Sequence, residues 1–419
     1  MSKLNVELYG TVLGTISQNE KWLDFVVNAD VFATYQLSST IMSIAVPLLL
    51  RYSNAQKKRY ANFFTEILPE GRNFDWLAKT VPYNDRNPFG MLRKYGKDIA
   101  GALTIYDPED PESSVRPELE PVNGERIRFL LENMPQASLA NSPISGKTSL
   151  GGIQGKIVLA KKDNEWHRVH NGHPSTHILK PIVPEYPTMI YDEAFCMQMA
   201  YNSGLTDHPV WIENFNGTDA LVIERYDRDK EANINRLHQE DFSQALGIRG
   251  SEKYQEYGGK VSAKRIAQTL DRFGNAEDIK RFASQLIFTV AIGNLDMHAK
   301  NVSILHHPND TITLSPVYDQ VPLRHQNTDG RLALSIGGEY IHANLSLTSI
   351  IAELLSWKCS PFSDESETLA FITSCLTKYN NALDLTTASD KAYPDLRADI
   401  ALFISNLLSG KKIGSISGR

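Results

Sequence analysis

The run GNLDMHAKNVSILHHPNDTITLSPVYD, Gly293 to Asp319, constrains this chain more than any other stretch. Just upstream, Ile279, Phe282, Leu286 and Val290 recur at three- and four-residue steps, which predicts a helix over Glu277 to Ile292. Gly293 and Asn294 are helix-stopping residues, so the helix should end there. Asp296 and Asn301 then stand five positions apart, on a polar segment too short for another helix. Two β-rich runs follow, Val302 to Leu305 and Thr311 to Leu314, separated by Pro308, Asn309 and Asp310 in the manner of a hairpin. A second aspartate, Asp319, lies just beyond the second run.

That order of parts suits phosphoryl transfer, where a protein mostly positions groups and neutralises charge. One carboxylate must accept the proton of the attacking hydroxyl; Asp296 is the candidate general base. One amide oxygen and a second carboxylate must hold Mg²⁺ against nucleotide phosphates; Asn301 and Asp319 are the candidates. Protein kinases use a D-x-x-x-x-N segment followed by a second Asp, and here Asp319 lies 18 residues beyond Asn301. A polar loop with turn-capping Asp and Asn would show the first spacing equally well. The preceding helix, the hairpin and the second Asp together favour the kinase reading.

At 419 residues the chain should hold two or more domains or subdomains. Hydrophobic residues at 42% and charged residues at 22% fit a soluble globular protein. No apolar run approaches the roughly 20 residues of a membrane helix, and the most apolar stretch, Ser43 to Leu50, is broken by Pro47. The N-terminus lacks the basic-then-apolar pattern of a signal peptide. Cys196, Cys359 and Cys375 are too far apart for a C-x-x-C pair, which argues against a disulfide framework or cysteine zinc site and for a reducing cytoplasm. A net charge of −6 argues against a strongly basic nucleic-acid binder, while leaving room for a local patch.

Three regions are expected: a β-containing N-terminal part (1–115), a kinase N-lobe-like part with a glycine-rich loop (116–230) and a helical C-lobe (231–419). Lys3 to Ile16 alternates like a hairpin; Phe63 to Leu77 and Pro88 to Tyr95 have helical spacing, and Ile99 to Ile105 reads as a strand. Asp107 to Pro121, rich in Pro, Glu and Ser, reads as a linker, followed by a short helix, Glu125 to Asn133. In the loop Ala137 to Lys156, Gly146-Lys147-Thr148 resembles the end of a Walker A loop, but its first glycine would be Asn141 and no strand precedes it. The better phosphate loop is Gly151-Gly152-Ile153-Gln154-Gly155-Lys156, leading into a strand over Ile157 to Ala160. An ordinary flexible loop has the same composition.

Trp166 to Val169 can pair back on that strand, and Thr176 to Pro181 reads as a third strand carrying Lys180 near its end. In a kinase sheet such a lysine grips the α/β-phosphates and is held by a helix glutamate. Glu193, 13 residues on, is the candidate partner, at the opening of a helix from Asp192 to about Asn202. An acid favouring the helix dipole is the other explanation. Ala220 to Ile223 is an apolar strand closed by Glu224-Arg225-Tyr226-Asp227-Arg228, where a kinase connector would bind adenine through its main chain, or where a loop simply carries charge. Ser262 to Leu408 reads as mostly helical outside Gly293 to Asp319, and the Gly410 to Arg419 tail as frayed.

The strings FFTEILPEG, YGKDIAGALTIY, SLGGIQGK, THILKP, DEAF, IERYDR, HQEDFSQALG, GNLDMHAKN and SPVYD, in this order, resemble the HipA family of bacterial toxin serine/threonine kinases over most of the chain. One departure is Met297, where a smaller or polar residue is common; that side chain has no assigned chemical role. The resemblance implies an α+β, two-lobed protein-kinase-like fold with an N-terminal β-containing subdomain and a mostly helical C-terminal lobe. It implies ATP and Mg²⁺, with Asp296 as base, Asn301 and Asp319 on the metal, and Glu193 paired to Lys180. Gly151, Gly152, Ile153, Gln154, Gly155, Lys156, Lys180, Glu224, Arg225, Tyr226, His298, Lys300 and Tyr318 would then line ATP. It further implies autophosphorylation at Ser149, with Thr148 and Ser145 as nearby alternatives. The acceptor would be a translation component such as glutamyl-tRNA synthetase, and the partner a HipB-like helix-turn-helix antitoxin that alone reaches DNA, with no membrane involved. The rival readings are a small-molecule kinase of the aminoglycoside or choline type and a non-catalytic, antitoxin-binding corepressor.

Overall fold

The computed structural model describes residues 2–19, 22–68, 74–75, 78–79, 81–111, 116–133, 155–228 and 236–415. The chain opens as an antiparallel sheet of β1 (Lys3–Leu8), β2 (Thr11–Asn19), β3 (Trp22–Val27) and β4 (Thr104–Tyr106), in the order β3-β2-β1-β4. Leu4, Val6 and Leu8 alternate inward and are fully buried, the strand period made visible. They meet the aromatic face of α1 (Asn54–Glu66), where Phe63 and Phe64 pack beside Phe25. This helix begins earlier than the apolar spacing from Phe63 suggests, because Ser53 and Gln56 form a reciprocal cap upstream. α2 (Pro88–Tyr95) has Asn87 as cap and Pro88 in its first turn. The expected strand from Ile99 is confined to β4, since Gly101 turns the chain at φ +78°.

The supposed linker ends in structure: β5 (Glu118–Pro121) pairs with β7 (Glu165–His170). Its polar composition is compatible with an exposed edge strand, which is why periodicity missed it. The six-stranded antiparallel sheet adds β6 (Ile157–Lys162), β8 (His177–Pro181), β9 (Val210–Phe215) and β10 (Thr218–Glu224), in the order β5-β7-β6-β8-β10-β9. α3 (Gly124–Glu132) lays Ile127 and Leu131 against this sheet. α4 (Met189–Asn202) packs Ile190 and Met197 with Val210 and Leu221.

The C-terminal part holds a sheet β11 (His238–Asp241), β12 (Ser303–His306), β13 (Ile312–Leu314), so the foreseen hairpin acquires a third strand. Around it lie α5 (Phe242–Ala245), α6 (Ala263–Phe273), α7 (Ala276–Ile292), α8 (Leu347–Ser356), α9 (Glu365–Leu385) and α10 (Leu396–Leu408). One hairpin, β14 (Arg331–Ile336) and β15 (Glu339–Ile341), interrupts the stretch expected to be helical. Gly337 and Gly338, both at positive φ, make its turn. α7 is the central helix, with a continuous run of buried residues from Gln285 to Ile292. No described helix is long and apolar enough to cross a membrane.

Candidate active site

α7 is capped by Asn275 and stops at Gly293, whose φ of +70° gives the left-handed end typical of glycine. A side chain there would also collide with Arg324, 2.8 Å from the position of a Cβ. The loop that follows is polar in composition yet almost entirely buried. Leu295, Met297 and Ala299 alternate into the main core and anchor it. Met297, the departure from the family pattern, is therefore a packing residue.

Hydrogen bonds lock the residues between those anchors. Asp296 donates its N–H to Asn294 Oδ1 (2.9 Å), and its carbonyl accepts from the His298 amide (2.8 Å) and from Asn301 Nδ2 (2.9 Å). With its NH₂ group thus engaged, the Asn301 oxygen is the end suited to a cation. Asp296 is 8% exposed, and its Oδ2 lies 3.9 Å from His298 Nε2. Asn294 also donates to the Asp319 carbonyl (3.4 Å), so one side chain ties the two loops together.

Asp319 has φ +55°, a left-handed conformation that costs a non-glycine residue of order 1–3 kcal/mol and persists only where the surroundings impose it. Its Oδ1 lies 2.7 Å from Lys180 Nζ at the end of β8. The same ammonium donates to Glu193 Oε1 (2.8 Å) and Oε2 (3.1 Å). Glu193 is fully buried and lies beyond the first residues of α4, which starts at Met189 rather than at Asp192. An acid in that setting cannot be explained as a surface helix-dipole residue.

Burial opposes the charge on Lys180, but Asp319 and then Glu193 overcome it and push the pKa up. Burial would raise Asp319, yet Lys180 holds it below the usual carboxylate value. Glu193 is raised, with burial outweighing the pull of Lys180. Of two acids sharing one ammonium, Asp319 is thus the better anion. Lys156, just before β6, has its pKa lowered by desolvation and then by Lys180, which brings it into the same electrostatic neighbourhood. Gly155 is described beside it; Ser145, Thr148, Ser149 and Gly151 to Gln154 lie outside the described residues.

The segment after β10 divides. Tyr226 sets its ring 5.5 Å from that of Tyr318, the neighbour of Asp319. The main-chain N–H groups of Glu224 and Arg225 are engaged by Pro209 and Thr176. The Arg225 guanidinium turns away from the triad, to Asp227, Ser175 and the Ile99 carbonyl. Lys300 likewise binds Glu66 of α1 at 3.0 Å. The structure therefore brings together Lys180, Glu193 and Asp319, with Asp296, His298 and Asn301 on the adjoining loop. It sends the side chains of Arg225 and Lys300 to the N-terminal part.

Sequence reading missed Asn294 as the cross-link, although an Asn two positions before the candidate base is a visible signal. Glu66 had no such signal, since its partner lies 234 residues away. The donor set of one ionised carboxylate and one amide oxygen suits Mg²⁺, which takes few protein ligands and completes its shell with phosphates and water. Among the described residues no cluster of three or more His, Cys, Asp or Glu forms a self-sufficient metal cage.

The HipA N-terminal domain model matches residues 4–106, and the HipA-like C-terminal domain model matches residues 148–382. The chain belongs to the HipA family. It is a serine/threonine-protein kinase by the same relationship. A putative kinase, Y4mE of Sinorhizobium fredii, is 31% identical over 353 residues, covering 80% of both chains. The serine/threonine-protein kinase toxin HipA of Shewanella oneidensis is 27% identical over 340 residues, covering 76% of both. In fold, the HipA-family chain is similar to a chain from the Shewanella oneidensis MR-1 complex of HipA, HipB and operator DNA. The TM-score is 0.79, with 22% identity and coverage of 97% and 96%.

Proposed function

We propose that this HipA-family kinase transfers the γ-phosphate of ATP to a serine of a translation component, an aminoacyl-tRNA synthetase, and acts as the toxin of a toxin–antitoxin pair. The observation that carries the phosphotransfer reading is the convergence on Asp319. Its carboxylate meets Lys180 at 2.7 Å, while Asn294 binds its main chain and that of Asp296. Asp296 receives the proton of the acceptor hydroxyl. Lys180, kept charged and oriented by Glu193, grips the phosphates, and Asn301 and Asp319 offer oxygens to the metal. Mg²⁺, when bound, supplies charge neutralisation at the phosphates. Tyr226 and Tyr318 wall the nucleotide, whose adenine meets the connector after β10.

Ser149 is the proposed autophosphorylation site, with Thr148 and Ser145 as alternatives. A phosphate there adds about −1.5 to −2 charges and disfavours ATP. The chain divides into an N-terminal part (1–115), a nucleotide-side part (116–230) and a helical part (231–419). The similar solved chain belongs to a complex with HipB and operator DNA. By analogy the partner is a HipB-like antitoxin in the cytoplasm, with DNA reached through it.

Labelled ATP offered to the purified protein with cell-lysate proteins, and separately with small aminoalcohols and aminoglycosides, tests the reading. Label should enter proteins and Ser149, located by mass spectrometry, and Asp296→Asn should reduce it by roughly 10²–10⁴-fold. Undiminished transfer by Asp296→Asn ends the assignment, and label entering only small alcohols ends the protein-kinase reading.

A further inference from the structure

We infer that Glu66, in the N-terminal part, is a positioning residue for the catalytic loop and acts through Lys300. The inference rests on the reading of Asp296 as general base. Lys300 lies between Asp296 and Asn301, immediately before the latter. Its ammonium donates to Glu66 Oε2 (3.0 Å) and to the Glu66 carbonyl (3.1 Å). Its own carbonyl accepts from Tyr318 Oη (2.8 Å), the residue beside Asp319. Lys300 is therefore pinned at both ends, by the N-terminal part and by the metal-side loop.

Glu66 is itself fixed. It is the last residue of α1, its Oε1 accepts from the Gly250 amide (2.7 Å), and its side chain is 7% exposed. One turn earlier on the same helix, Asn62 donates to the Gly247 carbonyl (2.9 Å) and accepts from Arg249 (3.1 Å). The end of α1 is thus built to hold the catalytic half of the molecule, and Lys300 is its handle on the loop. Asp241, 3.9 Å from the same ammonium, adds negative charge on that side. An ammonium neutralised by Glu66 and flanked by Asp241 is poorly placed to serve as a phosphate clamp. It acts as a strut, so the N-terminal part belongs to the working active site.

A strut and a phosphate contact predict different kinetics. A misplaced base lowers kcat, whereas a lost phosphate contact raises KM for ATP. Glu66→Ala should lower kcat about tenfold with KM for ATP within about twofold of wild type, Lys300→Met should do the same, and the double variant should be no worse than either. Lys300→Arg, which keeps two donors for Glu66, should retain most activity. Wild-type kcat in Glu66→Ala, multiplicative losses in the double variant, or a rise in KM confined to Lys300→Met would overturn the strut. Should Glu66→Ala fail to fold, Glu66→Gln takes its place, with a smaller loss in the same parameter.

Amide hydrogen exchange judges the contact without catalysis. Amides 294–302 should exchange faster in the Glu66 variant while those of β8 and β10 stay unchanged, and equal protection of the loop sinks the proposal. Wild-type protein that transfers no phosphate would count against the kinase reading, while the exchange result would still decide the strut.

Discussion

Two buried charge networks interleave along the sequence and are built differently. One is the triad of Lys180, Glu193 and Asp319. The other joins the N-terminal part to the segment after β10: Arg225 and Arg228 hold Asp227 at 2.8 and 3.0 Å, while Arg228 and Arg236 reach Asp98 at 3.2 and 3.4 Å. Fixed main-chain atoms complete the second network. Gly101 N–H donates to Asp227 (2.7 Å), Arg228 donates to the Ser175 carbonyl (2.7 Å), and Arg225 donates to that of Ile99 (3.1 Å). Burial would raise Asp227, but Arg225 and Arg228 hold its carboxyl far below the usual range. In the triad a single ammonium serves two acids, one of them raised in pKa and the other held on a left-handed backbone. Buried ion pairs are weak evidence of stability by themselves. What separates these two is closure: the second network, the seam, is completed by main-chain atoms, while the contacts of the triad run between side chains.

Paired substitutions can break that contrast. Asp319→Asn should cut phosphotransfer on the order of a hundredfold or more, through loss of the anionic metal oxygen. Its melting temperature should stay near wild type, because Lys180 keeps both oxygens of Glu193 and Asn tolerates positive φ. Asp227→Asn should do the reverse. It takes from Arg225 and Arg228 the carboxylate they share, leaving Arg225 with neutral acceptors, and should cost about 3–5 kcal/mol in urea unfolding, with catalysis surviving in the folded fraction. If the two variants exchanged their phenotypes, the assignment of site and seam would be inverted.

Glu193→Gln should be milder. The amide keeps the size of the carboxyl and one acceptor oxygen for the Lys180 ammonium, but not its charge. Lys180 retains Asp319 at 2.7 Å but loses one side of its grip. About a tenfold loss in kcat/KM is expected, with little change in thermal stability. A loss as deep as that of Asp319→Asn would make Glu193 more than an orienting group.

The triad and the seam also differ in how far they could be read beforehand. Lys180, Glu193, Asp296, Asn301 and Asp319 each sit on an element with its own local signal. An apolar strand, a helix, a glycine stop and a hairpin place them, so spacing carried the argument. Lys300 and Arg225 lie in the same motifs, yet their side chains leave for Glu66 and Ile99, and nothing local in the sequence says so. The β14–β15 hairpin was legible in principle, since LALSIGGEYI pairs alternation with a Gly-Gly turn. Its apolar residues lie between helical stretches and blend with their periodicity. β5 was not legible, because an exposed, acidic edge strand has the composition of a linker.

Acid offers the gentlest probe, and it should act on the seam before the site. His238 lies where β11 meets the N-terminal part, and its Nε2 is 2.7 Å from the Met42 carbonyl. Burial, and then His306, lowers its pKa to about 3. The unfolded chain takes up that proton near pH 6.5, and the folded chain does not. The folded state is therefore fully favoured above pH 6.5 and loses stability as pH falls toward 3. From pH 7 to 5.5 the loss from this residue should be about 1 kcal/mol. His238→Gln removes the titration while an amide can still donate to Met42, so its urea midpoint should fall less over that interval than that of wild type. An identical pH slope in the two proteins would show that His238 is not held neutral, and that the seam is no more acid-sensitive than the rest of the fold.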